Sequence, residues 1–216
     1  MGGMFIVHGG VGTGAVAVEA ALTLLGAPYI VEDVRLGQAA AADRFAALNP
    51  MRQIPALVSP SGELITESAA ILEWLAESHP GGALSPMPGS PLRPAFLRWM
   101  AFVSSAIYAL FWIRDDPSRL AADAAHQAFS RTRIDERITA CWAVMEQQLT
   151  PQSYLLGDEL SVLDLYATVI SRWEPHRKQF YRTAPRMGEV VRRVDADPRL
   201  ADLWERRFPF VDGWEG

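Results

Sequence analysis

A proline- and glycine-rich segment divides the chain into two parts of different periodicity, and that division constrains the fold more than any other feature. Between Pro80 and Pro94 stand five prolines and three glycines, a density that marks a connector. Ahead of it, strand-like runs alternate with helical spacings. Residues 4–8 form a short apolar run that reads as a buried strand, and the glycine-rich residues 9–14 follow as a loop. Val18, Leu22 and Leu25 then recur at i, i+4 and i+7, the spacing of one helix face. Gly26 closes that helix, with Pro28 just beyond it. Residues 29–34 read as a second strand, so the strand–helix–strand order predicts a right-handed crossover and a parallel pair.

Residues 39–48 are alanine-rich and helix-permissive, and residues 54–58 form a third strand. Turn residues at 59–62 and a fourth strand at 63–66 predict a hairpin. Ile71, Leu72 and Leu75 mark another helix. Residues 1–80 are thus expected to form a β-α-β-α-β-β-α unit, residues 81–92 a linker, and residues 93–216 an all-α helical bundle. In that last part Leu97, Ala101, Ser104, Tyr108 and Phe111 form one helical stripe, and Ile134, Ile138, Cys141, Met145 and Leu149 form another. Ser161 and Asp164 have the spacing of a capping box, with Asp in the usual Glu position. Leu200, Leu203 and Trp204 close a final helix.

Composition removes several functional classes. Half of the 216 residues are hydrophobic and 21% are charged, which supports a sizeable core. A net charge of −5 argues against nucleic acid, whose binding rewards clustered Lys and Arg. No apolar run reaches the roughly eighteen residues needed to cross a bilayer, and no signal-like segment opens the chain. A single cysteine, Cys141, permits neither an internal disulfide nor a cysteine zinc cluster. It sits on a helical core stripe, where a buried inert thiol is expected. Together these features point to the cytoplasm, with no metal, no membrane and no nucleic-acid partner.

Two motifs carry chemistry. In Ile54-Pro55-Ala56-Leu57 a proline opens what reads as a central strand, although proline removes a ladder donor there. A cis Ile54–Pro55 bond resolves the conflict, since X–Pro bonds adopt cis at modest cost. It also turns the Ile54 backbone outward, where an extended peptide can pair with it like an added strand. An edge strand with an ordinary trans proline is the plainer alternative. In the second motif, Glu67-Ser68 directly precedes the helix of Ile71 and Leu75. Free N–H groups and a positive dipole end at that position suit a carboxylate, and Glu67 suits an ammonium. Simple helix capping is the plainer alternative here.

In this order and at this distance the two motifs resemble the glutathione site of the glutathione S-transferase family. The resemblance extends through the proline-rich linker, the helix of residues 97–102 and the Ser161–Asp164 box. It implies a thioredoxin-like N-terminal domain in which Ile54, ahead of Pro55, pairs with the cysteinyl backbone of glutathione. It also implies that Glu67 and Ser68 hold the γ-glutamyl end, that Gln53 reaches the glycyl end, and that Arg52 is a weaker candidate for the glycyl carboxylate. A symmetric homodimer is implied as well.

The loop after the first strand departs from the family pattern. Where members place Tyr, Ser or Cys against the glutathione sulfur, this chain has Gly14 and Ala15. Thr13 has the loop's only hydroxyl and is the candidate catalytic residue. Main-chain N–H groups of the same loop are an alternative activator, and helix capping is a purely structural role for Thr13. His8, at a strand end, is read as structural. A rival reading takes residues 10–15 as a G-x-G-x-x-A dinucleotide fingerprint with Glu32 or Asp33 on the ribose. It fails because residues 91 onward offer no further βαβ units. Tyr108, Phe111 and Trp112 are candidates for an apolar cosubstrate pocket, with core packing as their structural alternative. Arg114 could meet an anionic substrate or simply be solvated.

The expected function is a glutathione transferase of the detoxifying kind. Bound glutathione, as cosubstrate, would attack a small, apolar electrophile through its thiolate. The alternatives are a glutathione-binding carrier or stress protein with little activity, which the missing Ser or Cys favours, and a glutathione-dependent isomerase.

Overall fold

The computed structural model describes residues 3–34, 39–79, 84–173 and 175–216. The first part is a four-stranded mixed sheet with helices. Strand β1 (Phe5–Gly9) lies between β2 (Tyr29–Asp33) and β3 (Ala56–Val58), and β4 (Leu64–Thr66) pairs outside β3, giving the order β2-β1-β3-β4. β1 and β2 are parallel, with Val7 opposite Val31, as the intervening helix requires. β3 runs antiparallel to both β1 and β4, completing the predicted hairpin. This is a thioredoxin-like half. The strands are one or two residues shorter or displaced relative to the sequence expectation. β3 begins only at Ala56, after the proline that cannot donate to a ladder.

Helix α1 (Ala15–Leu24) is buried along residues 15–22, which is why its sequence is apolar almost all round rather than on one stripe. Val16, Val18 and Leu22 are fully enclosed, each worth about 1.5–3 kcal/mol of burial. Gly26 follows with φ 64°, the left-handed residue that lets the chain leave the helix. Helix α2 (Ala39–Ala46) places Phe45 5.8 Å from the His8 ring. Helix α3 (Ser68–Ser78) closes the first half through Ile71, Leu72 and Leu75. Pro80 and the start of the linker, residues 81–83, lie outside the described residues, and the Leu84 carbonyl accepts the Val162 N–H.

The second half is helical. Helix α4 (Arg93–Phe102), a π-turn (Val103–Tyr108) and α5 (Ala109–Asp115) form one continuous rod. With mean hydropathy 1.5, the stretch Arg93–Asp115 is long and apolar enough to cross a bilayer, contrary to the expectation from uninterrupted apolar runs. One side of it is spent on the protein interior through Phe96, Trp99, Met100, Val103, Ile107 and Phe111. The predicted stripe on this rod is corrected too, because Leu97 is 40% exposed and Ala101 is also exposed. Apolar residues occur on both sides of the rod, so periodicity alone could be phased in two ways.

Helix α6 (Ala124–Gln148) buries Ile134, Ile138, Cys141 and Met145 as expected. Helix α7 (Val162–Ile170) is enclosed on all sides and starts at the predicted box. The Ser161 N–H and hydroxyl both donate to Asp164 Oδ2, and the Leu155 N–H donates to Oδ1. Helices α8 (His176–Thr183), α9 (Pro185–Asp195) and α10 (Ala201–Arg207) complete the bundle. The fully buried Arg177 of α8 joins Asp195 and the Thr168 carbonyl. The chain end is held by Arg172, which stacks on Phe208, Phe210 and Trp214.

Candidate functional site

The loop preceding β3 is built around the buried Asn49, whose Nδ2 donates to the Gln53 carbonyl and whose Oδ1 accepts the Met51 N–H. The Ile54–Pro55 peptide that follows is cis, as the strand-opening proline led us to expect. Ile54 is half-buried, and its carbonyl faces the helical half, where it accepts the Tyr108 hydroxyl at 3.3 Å. Arg52 is exposed and pairs with Asp43 at 3.1 Å, and Gln53 is exposed beside it.

Glu67 and Ser68 stand at the head of α3 with different roles. Glu67 is exposed and makes no capping bond with its side chain. Ser68 is 6% exposed, and its hydroxyl lies 2.6 Å from that of Tyr166 on α7. Among the described residues three non-glycines have positive φ, and two of them, Arg52 (54°) and Glu67 (65°), flank this site. Residues held in that region persist only where their surroundings over-determine them, and they concentrate at functional sites.

The glycine loop is the third component. Thr13 donates its single hydroxyl proton to the Gly10 carbonyl at 2.8 Å, while the Gly10 and Ala15 N–H groups donate to its oxygen. Its hydroxyl therefore organises the loop in this structure. Gly12 donates its N–H to the Arg207 carbonyl and accepts the Trp173 indole N–H at 2.8 Å. Arg207 in turn bonds Glu19 of α1 and Asp33 of β2. Burial raises the Glu19 carboxyl pKa, and Arg207 opposes that rise. His8, whose pKa burial lowers, lies 3.4 Å from Glu32 across the β1–β2 ladder, consistent with a structural role.

The helical half faces these three segments with an aromatic wall. Tyr108 contacts Tyr166 edge-on at 6.0 Å and Trp173 at 5.1 Å, and Phe111 packs on Trp173 at 4.9 Å. Phe111 is buried behind the wall, whereas Trp112 is 45% exposed and stacks under Arg119. Arg114 is bound to Asp135 through Nε at 2.6 Å. The π-turn presents Ser104 and Tyr108 to the site, a frequent use of such turns. Burial raises the Tyr166 phenol to about 12, with Ser68 and Ser104 hydrogen bonds opposing. Tyr166 and Trp173 were not singled out from sequence. Their usable signal was position, since both follow soon after the Ser161–Asp164 box that fixes α7. A surface groove of about 850 Å³ between α6 and α8 contains none of the residues predicted for the site.

A thioredoxin-like half hydrogen-bonded to a helical half at Ile54, Ser68 and Gly12 defines the class, and comparison with known proteins gives the family. Residues 15–78 match the family model of the glutathione S-transferase N-terminal domain. The chain is 31% identical to the maleylacetoacetate isomerase of Pseudomonas aeruginosa, covering 88% of this chain and 86% of that protein. It is 29% identical to YncG, an uncharacterised GST-like protein of Escherichia coli, across 94% of this chain and 98% of its relative. A glutathione transferase homologue from Sulfitobacter, solved with bound glutathione, superposes with a TM-score of 0.82 at 23% identity, covering 94% and 98% of the two chains. The chain belongs to the glutathione S-transferase superfamily.

Proposed function

We propose that the protein is a glutathione transferase that conjugates the glutathione thiolate to a small apolar electrophile. One observation carries the reading: Ile54, Ser68 and the glycine loop, three separate segments of the first half, are each hydrogen-bonded by one aromatic wall from the second. In this reading the Ile54 backbone pairs with the cysteinyl residue, Glu67 takes the γ-glutamyl ammonium, and Ser68 with the first amides of α3 takes its carboxylate. Gln53 and Arg52 lie at the glycyl end. Pro55 opens β3 beneath the peptide. Tyr108, Phe111 and Trp112 border the cosubstrate side. Residues 1–80 supply the glutathione domain, 81–92 the linker and 93–216 the helical domain. The protein works in the cytoplasm as a symmetric homodimer.

Glutathione bound here presents its sulfur to residues 10–15. Hydrogen-bond donors there stabilise the thiolate over the thiol, and binding holds it near its electrophile. Thr13 serves this role by releasing Gly10, and Thr13→Ala should then lower the rate while glutathione affinity holds. A second reading, a glutathione-dependent isomerase, is favoured by the likeness to the Pseudomonas enzyme. A carrier is favoured by Gly14 and Ala15, which have no side-chain donor. Calorimetry with glutathione followed by turnover against chloronitrobenzene, peroxide and maleyl-type substrates separates the three. Binding without turnover on any of them leaves the carrier, and no binding removes all three.

A further inference from the structure

Gly14 has φ −60° and ψ −17°, a conformation open to any residue, so its backbone does not require glycine. Space does. A Cβ at this position would lie 2.7 Å from Tyr108 Cζ and 3.0 Å from Cε1, and closer still to the hydroxyl oxygen. Real Cβ atoms do not make such contacts, so any side chain at position 14 would push the tyrosine out. The tip of a residue from the helical half thus fills the space that a side chain of the catalytic loop would occupy. Its hydroxyl lies where α1 begins, between Gly14 and the Ile54 carbonyl.

We propose that Tyr108 is a second hydroxyl donor to the glutathione sulfur beside Thr13, delivered from the helical half through the space left by Gly14. This rests on the glutathione reading above. The hydroxyl donates to the Ile54 carbonyl at 3.3 Å, longer than the roughly 2.5–3.0 Å of a good O–H···O bond. A cysteinyl N–H pairing with that carbonyl takes over the acceptor, and the freed hydroxyl turns to the sulfur beside it. An edge contact with Tyr166 and a tilted contact with Trp173 hold the ring in place throughout.

The charges around Tyr108 favour the neutral phenol. Burial raises its pKa well above the ordinary tyrosine value, and Tyr166 of α7, Asp115 of α5 and Glu67 ahead of α3 all push the same way. Tyr108 therefore remains a donor and does not act as a base, and the thiol proton leaves to solvent. With chloronitrobenzene the thiolate forms the C–S bond, the C–Cl bond breaks, and chloride departs with the electron pair. The tyrosine proton stays on oxygen.

Tyr108→Phe tests this, because it keeps the ring and removes only the hydroxyl. Thiolate absorbance of the bound glutathione, titrated against pH, should shift upward by about one unit, a tenfold smaller thiolate fraction at pH below the thiol pKa. The chloronitrobenzene rate should fall about tenfold at neutral pH and recover in alkali, with glutathione affinity changed by less than about threefold. Gly14→Ala displaces the hydroxyl from the other side and should raise the same thiol pKa. If either variant binds glutathione with an unchanged thiol titration, the Tyr108 proposal is overturned while the glutathione reading stands. If the native protein binds no glutathione, both fall.

Discussion

The two sides of the candidate site are built by different means. The proposed glutathione wall consists of short local motifs: Ile54-Pro55 just ahead of β3, and Glu67-Ser68 at the head of α3. The opposing wall is assembled over long sequence distances. Tyr108 reaches Ile54 across 54 residues, Ser68 meets Tyr166 across 98, and Trp173 meets Gly12 across 161. A local motif can take its shape from its own neighbours, whereas a wall assembled from distant residues needs a rigid support. Here the support is α7, anchored by Asp164. The comparison predicts that substitutions on the glutathione wall change affinity, and that substitutions beneath the aromatic wall change stability first.

Asp164→Ala should show the largest effect. It leaves the Leu155 and Ser161 N–H groups and the Ser161 hydroxyl without their buried acceptor, at a cost of about 3–5 kcal/mol. Urea unfolding should report it as a lower midpoint at an unchanged slope. The same residue gives a pH test. Burial raises its carboxyl to about 6, against the hydrogen bonds it accepts. A raised acid contributes stability below its unfolded value of about 3.9, and that contribution is lost as pH rises through 6. Relative to Asp164→Asn, the native protein should therefore lose stability between about pH 4 and pH 6, and a flat difference would show that the carboxyl is not raised.

Glu67→Ala comes next and should act on binding alone. A charge-assisted bond to an ammonium is worth about 1.5–3 kcal/mol, so calorimetry should show glutathione affinity at least tenfold weaker. The side chain is exposed and caps nothing, so the melting temperature should hold. An unchanged affinity would end the γ-glutamyl assignment.

Ser68 belongs to both walls, which makes it the sharpest probe of the division between them. Ser68→Ala and Tyr166→Phe should each cost about 1–2 kcal/mol of stability, since each removes a buried hydroxyl–hydroxyl bond between the halves. The double variant should cost less than their sum, by about 1 kcal/mol, if the bond couples the two halves. Strict additivity would mean that the halves are joined by packing alone. Thr13→Ala should cost less stability than either single variant, about 0.5–1 kcal/mol for the loop bonds its hydroxyl makes.

Much of the fold was legible in advance because it follows from local physics. Proline cannot donate to a ladder, and Gly26 is free to take a left-handed conformation, so the parallel pair, the hairpin and the end of α1 could be placed from spacing. The same is true of the Ser161–Asp164 box, whose partners are three residues apart. Ile54-Pro55 and Glu67-Ser68 were recognisable for the same reason. The phase of the rod at residues 93–115 was not, because apolar residues occur on both of its sides and only the packing partner selects one. Nor could the sequence reveal that Glu67 adopts a left-handed conformation, or that the proton of Thr13 is held by Gly10. The need for glycine at position 14 is set by packing between the two halves. A glycine with an ordinary φ signals nothing along the chain, and its meaning lies in the tyrosine tip that another domain places where its side chain would be.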